Sequence, residues 1–133
     1  RGSRKKVKAL KVSYITEKLN LSEQEAAKFW PVYNKFENKR YELYHVKRSS
    51  IKKSIEALGG IDKLTEKDSE TFAKKMLALE KESYETNVKY LQELHKIISY
   101  KRIVKLQITE RDFTRRMYRR LKGQKTKKIK KEN

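Results

Sequence analysis

Residues 21–36, LSEQEAAKFWPVYNKF, decide the fold, and they hold the chain's single Trp and single Pro. Leu21 precedes Ser22, and Glu25 follows Ser22 by three residues. That spacing is a capping box, in which the Ser22 hydroxyl accepts from the Glu25 N–H and the Glu25 carboxylate accepts from the Ser22 N–H. A helix is therefore predicted to start at Ser22. Ala26, Phe29, Trp30, Tyr33 and Phe36 then recur at three- and four-residue spacing, which puts four aromatics on one helical stripe and predicts a largely buried Trp30. Pro31 falls inside the pattern, where it lacks an N–H and crowds the carbonyl of Ala27. Because the periodicity continues beyond it, a kink is expected rather than a helix end.

Working outward, the helix is predicted to run to about Leu58, stopped by Gly59-Gly60, which suit a left-handed helix terminus. Its second half carries a thinner stripe of Leu43, Tyr44, Ile51 and Ile55. Thr65 with Asp68 marks the next N-cap, and Phe72, Met76, Leu79, Val88, Leu91, Leu94 and Ile98 form the apolar stripe of a third helix. Two long helices with a short connection predict an antiparallel pair. Upstream, Arg4 to Leu19 reads as a short amphipathic helix with Val7, Leu10, Tyr14 and Ile15 on one face and lysines around the rest. That face suits either packing on the core or an arm for a membrane surface or nucleic acid. Downstream, Ser99 restarts a fourth helix with Ile103, Leu106, Phe113, Met117 and Leu121 inward and Arg111, Arg115, Arg116, Arg119 and Arg120 outward. Residues 123–133 have no core pattern and are expected to be a mobile basic tail. The expected fold class is all-α: four helices, two of them forming an elongated, curved antiparallel hairpin, flanked by a short N-terminal helix and a basic C-terminal one, in a single domain over 1–133.

Composition agrees with few, long helices: 133 residues contain only 4 Gly and 1 Pro. A hydrophobic share of 36% against 40% charged is lean for a self-sufficient core and points to completion by a partner. No apolar run reaches the roughly 18 residues of a membrane span. Without Cys there is no disulfide framework and no thiolate nucleophile or ligand. Arg1-Gly2-Ser3 are of the kind a cloning step leaves and carry no argument. The net charge of +19 is uneven: residues 1–20 carry +6, 21–60 carry +3, 61–98 carry −1 and 99–133 carry +11. Such ends attract polyanions of every kind.

The motif chemistry argues against catalysis. His45 and His95 have no His or carboxylate three or four residues after them, no Gly-rich phosphate loop or nucleophile elbow occurs, and the carboxylates alternate with lysines as solvated i, i+4 pairs. Neither an enzyme nor a metal or cofactor site is expected.

Two stretches carry a resemblance. Leu21-Ser22-Glu23-Gln24-Glu25 followed by Phe29-Trp30-Pro31-Val32-Tyr33 resembles the first LTxxQ-type motif of the Spy/CpxP family, in the form of bacteroidete relatives with an F-W-P-x-Y continuation. Ile98-Ser99 through Glu110, Phe113 and Leu121 stands where that family has its second motif. Ser replaces Thr at 22 and 99, Glu25 takes the first Gln position, and Arg102 takes the second, where it cannot return the capping bond as Gln does. The resemblance implies an all-helical, typically dimeric periplasmic protein, its signal peptide removed, acting as an ATP-independent chaperone or envelope stress sensor. Its partners would be unfolded or acidic client proteins, or an envelope regulatory protein. Charge clustering puts the binding candidates at Arg40, Lys47 and Arg48 on the second helix and at Arg115, Arg116 and Arg119 on the fourth. The alternative is a basic helical nucleic-acid-binding protein, since five arginines between 111 and 120 could grip a phosphate backbone.

Overall fold

The computed structural model describes the backbone of residues 2–132 and the side chains of residues 4–124. It is all-α, with no strand among the described residues. The order is α1 (Gly2–Leu19), α2 (Glu23–Tyr41), a π-helical turn (Glu42–Lys47), α3 (Arg48–Ala57), a short 3-10 turn (Ile61–Lys63), α4 (Glu66–His95) and α5 (Tyr100–Glu132).

The helix ends follow from local chemistry. The capping box at Ser22 is complete: Ser22 N–H donates to Glu25 Oε1 at 3.0 Å, and Glu25 N–H donates to Ser22 Oγ at 3.1 Å. Thr65 Oγ1 accepts from Asp68 N–H at 3.0 Å and starts α4. Ser99 Oγ accepts from Arg102 N–H at 3.3 Å before α5. After α3, Gly59 takes φ +102°, its N–H donates to Glu56 O, and Gly60 N–H donates to Ile55 O. This is a Schellman terminus, and glycine supplies its positive φ without a Cβ penalty. Asn20 does the same for α1 at φ 50°, with its own N–H on Glu17 O and the Leu21 N–H on Thr16 O.

The chain divides into two compact units, with breaks after Ala27 and after Ile97. In the unit spanning 28–97, α2 continues through Pro31, as the periodicity predicts. Its inward residues are Phe29, Tyr33 and Phe36, all buried. The next inward positions are Leu43, Lys47, Ile51 and Ile55, in steps of four. A step of four over-rotates an α-helix by about 40°, so the stripe would drift off its face. The π-helical turn, with more residues per turn, takes out about one residue's rotation and offsets most of that drift. Against this run, α4 pairs in the opposite direction: Lys35 lies 3.8 Å from Glu93, Phe36 stacks near Tyr90 with centroids 5.0 Å apart, and Lys47 meets Glu82 at 2.9 Å.

Several inward assignments shift. Trp30 keeps part of its surface in solvent, with its ring edge-on to Phe29 at 4.9 Å and to Tyr33 at 5.1 Å, while Phe29 is fully enclosed. Adjacent residues on a helix point about 100° apart, so only one of the pair can face straight inward. On α4, Phe72, Leu79 and Leu94 are buried, but Met76 and Leu91 are exposed, and Thr86 and Tyr90 take inward places. Thr86 is tolerated there because its hydroxyl donates to Glu82 O at 2.8 Å.

The other unit pairs α1 with α5. Ile15, Leu19, Ile98, Ile103, Leu106 and Phe113 are its buried apolar residues, whereas Leu121 is 64% exposed. Val7 and Leu10, read as part of the inward face of α1, are exposed as well. α5 does not give way at Gly123; the stretch expected to be a mobile tail is helical as far as Glu132, and Asn133 lies outside the described residues.

Candidate functional site

Of the six candidate cations, Arg40, Lys47 and Arg48 sit in the 28–97 unit and Arg115, Arg116 and Arg119 in the other. Each of the first three already has a neighbour. The Arg40 guanidinium lies 4.7 Å from the Tyr90 ring centroid, and Arg48 lies 4.9 Å from that of Tyr44. Stacking over a ring leaves the edge of the guanidinium able to donate outward. Lys47 differs. Its ammonium donates to both oxygens of Glu82, at 3.1 and 2.9 Å, and Lys39 stands 3.3 Å from the same carboxylate. These bonds, that of Lys47 first, hold the Glu82 carboxyl below its ordinary range. Lys47 is thus partly spent inside the unit. Arg115 and Arg119 are exposed, and Arg116, also exposed, lies 5.1 Å from the Tyr14 ring centroid.

The feature that charge clustering missed is apolar. Between α3 and α4 lies a groove of about 590 Å³ lined by Ile51, Ile55, Ile61, Met76 and Leu79. Arg48, Lys52, Glu56 and Glu80 supply its charged lining. Ile51 and Ile55 are only half-buried, Met76 is 47% exposed and Ile61 is 75% exposed, so these side chains face an open trough rather than a closed core. In sequence, Ile51 and Ile55 read as a thinning core stripe among lysines, and that thinning is the one signal for a groove.

The second missed feature joins Glu25 and Arg102, the residues three places after the capping Ser22 and Ser99. Arg102 reaches Glu25, its Nη1 donating to Oε2 and its Nη2 to Oε1 at 3.1 Å. The same guanidinium donates to Leu19 O from Nε at 3.1 Å and from Nη2 at 2.7 Å, and to Asn20 O at 3.1 Å. Three helix ends meet there: the carbonyl end of α1, the capped start of α2 and the first turn of α5. A cation at the negative end of α1 and a carboxylate at the positive end of α2 are each on the favourable side of the helix dipole. So the departure at 102 is not a lost cap alone, because the side chain that cannot return the capping bond ties the other two helices instead.

This contact sets a pH dependence. The Arg102 hydrogen bond, followed by the Ser22 N–H, lowers the Glu25 carboxyl from 4.5 to about 2. A folded value below the unfolded one means that the contact stabilises above about 4.5 and that this contribution is lost as pH falls towards about 2. Thermal melts at constant ionic strength should show a parent Tm that drops through this window. Glu25→Gln should start lower at neutral pH and vary less. An equal slope for both would remove Glu25 as the titrating group.

Among the described residues no three His, Asp or Glu side chains lie together as a metal site. His45 packs against the Tyr41 ring with centroids 4.6 Å apart. No helix among the described residues is long and apolar enough to cross a membrane. Comparison of the chain with protein-family models, with curated proteins and with solved structures found no match.

Proposed function

We propose that this chain is an ATP-independent chaperone or envelope stress sensor similar to the Spy/CpxP proteins, holding unfolded or acidic polypeptide segments on the helical pair of residues 28–97. The observation that carries the reading is the open apolar groove between α3 and α4 with cations beside it. An unfolded segment offers apolar side chains interspersed with carboxylates. Ile61 and Met76 would take the former by weak, unspecific contact, while Arg48 and Lys52 attract the latter. Arg40 adds a guanidinium on the same unit, and Arg115, Arg116 and Arg119 add long-range attraction. In this reading the pair is an elongated, curved hairpin, the protein is periplasmic, and it forms a homodimer that covers exposed apolar length. Sedimentation showing monomer alone at micromolar concentration would remove the dimer. Recovery of the full-length gene product in the cytoplasm would remove the location.

The function is tested by suppression of aggregation of a reduced client without nucleotide. The parent should hold the client and lose part of that activity with salt, as the Debye length falls from about 10 Å at 0.1 M to about 3 Å at 1 M. Ile61→Ser with Met76→Ser should abolish most of the holding that persists in salt, with helicity unchanged because both side chains are exposed. A double variant that holds client as well as the parent would reject the groove as the capture site.

A further inference from the structure

We propose that the end of the α1–α5 pair formed by the start of α1 and the second half of α5 docks on an anionic lipid bilayer surface. The two helices run antiparallel. Leu19, the last residue of α1, meets Arg102 in the first turns of α5. Further along, Lys11 lies 4.0 Å from Glu110, and Tyr14 packs on Phe113 with centroids 5.7 Å apart. Continuing that register brings the first turns of α1 beside the stretch of α5 from Arg115 onward. Arg4, Lys5, Lys6 and Lys8 thereby share one end with Arg115, Arg116, Arg119 and Arg120, and all eight are exposed. Neither residues 4–16 nor residues 113–124 contain an Asp or Glu.

Charge alone would suit any polyanion; the apolar seam selects a bilayer. Along α5 the inward stripe is buried at Leu106 and Phe113, half-buried at Met117 and 64% exposed at Leu121. Along α1 it is fully buried at Ile15 but 44% exposed at Leu10 and 41% at Val7. Both stripes lose their cover towards the same basic end, so the seam opens where the cations gather. Tyr118, 67% exposed, stands among them. Interfacial helices bind in this manner, with apolar side chains entering the headgroup boundary, cations on the lipid phosphates and Tyr at the interface. A nucleic-acid backbone takes the cations but offers no apolar layer for Leu10 and Leu121. This inference does not rest on client capture, whose groove lies in the 28–97 unit and to which Arg115, Arg116 and Arg119 add only long-range attraction.

The experiment is flotation of the full chain with vesicles of phosphatidylcholine alone or mixed with phosphatidylglycerol, beside binding to a short DNA duplex. The chain should float only with the anionic vesicles, and less so in high salt. Replacing Lys5, Lys6, Arg119 and Arg120 by Gln should weaken binding roughly fivefold per cation, several hundredfold together. Leu10→Ser with Leu121→Ser should lose roughly tenfold on vesicles and nothing on DNA. Tyr118→Trp in a Trp30→Phe background should show a blue-shifted emission on anionic vesicles, which covers the case of a misfolded serine variant. Absence of flotation, serine variants that float as the parent does, or an unshifted emission would overturn the proposal. Retained DNA binding in those cases would leave a nucleic-acid surface in its place. Ile61→Ser with Met76→Ser should float normally, so that failure of the capture reading leaves this result standing.

Discussion

Phe29→Ala should cost about 3 to 5 kcal/mol and lower the Tm by about 10 to 20 °C, as expected for an enclosed ring truncated in a packed core. Its ring is 0% exposed, stacks on Tyr33 with centroids 5.6 Å apart and meets the edge of Trp30. Trp30→Ala removes more atoms but from a position that keeps some solvent contact, so less buried apolar area is at stake per atom removed and the loss should be smaller. Phe29→Leu should recover most of the stability, because it refills most of the volume. Urea unfolding followed by far-UV circular dichroism gives the order. The native Trp emission should lie between the buried and the solvated wavelengths. If Trp30→Ala proved the more damaging, Trp30 and not Phe29 would be the inward anchor of α2.

That pair illustrates what the sequence could and could not deliver. The capping signals at Ser22, Thr65 and Gly59 were legible because a cap is settled by a few consecutive residues and by backbone conformation alone. The aromatic stripe was legible as a stripe. Its centre was not, since Phe29 and Trp30 are neighbours on the helix and periodicity alone does not rank them. On α4 the same difficulty arose with Met76 and Leu91: hydrophobicity counted them inward, whereas the partner run sets the face through Phe72, Leu79, Thr86 and Tyr90. The π-helical turn at Glu42–Lys47 has no cap and no Gly, and only the four-residue steps of the inward positions hint at it. Among the candidate cations, the exposure of Arg115, Arg116 and Arg119 was legible but the engagement of Lys47 was not, because Lys47 and Glu82 are 35 residues apart. The groove escaped notice for a related reason: it needs Ile61, from a loop, beside Met76 of α4.

Arg102 is the position where a departure from capping-box chemistry carries the most consequence. Arg102→Ala should lower the Tm by about 5 to 10 °C, since it removes charge-assisted bonds to two helix-end carbonyls and to the Glu25 carboxylate at once. The informative variants are the conservative ones. Arg102→Gln would give the side chain that a capping box calls for, able to return a bond to the Ser99 N–H, yet too short and too poor in donors to hold Leu19 O, Asn20 O and Glu25 together. It should therefore remain well below the parent. Arg102→Lys keeps the charge without the planar fork and should recover only part of the loss. Because Glu25 and Arg102 are in direct contact, Glu25→Gln combined with Arg102→Gln should cost less than the two single losses added, and the shortfall measures their coupling. Should Arg102→Gln melt with the parent, the start of α5 would be held by its cap alone, and the meeting of three helix ends at residue 102 would contribute nothing to the stability of the unit.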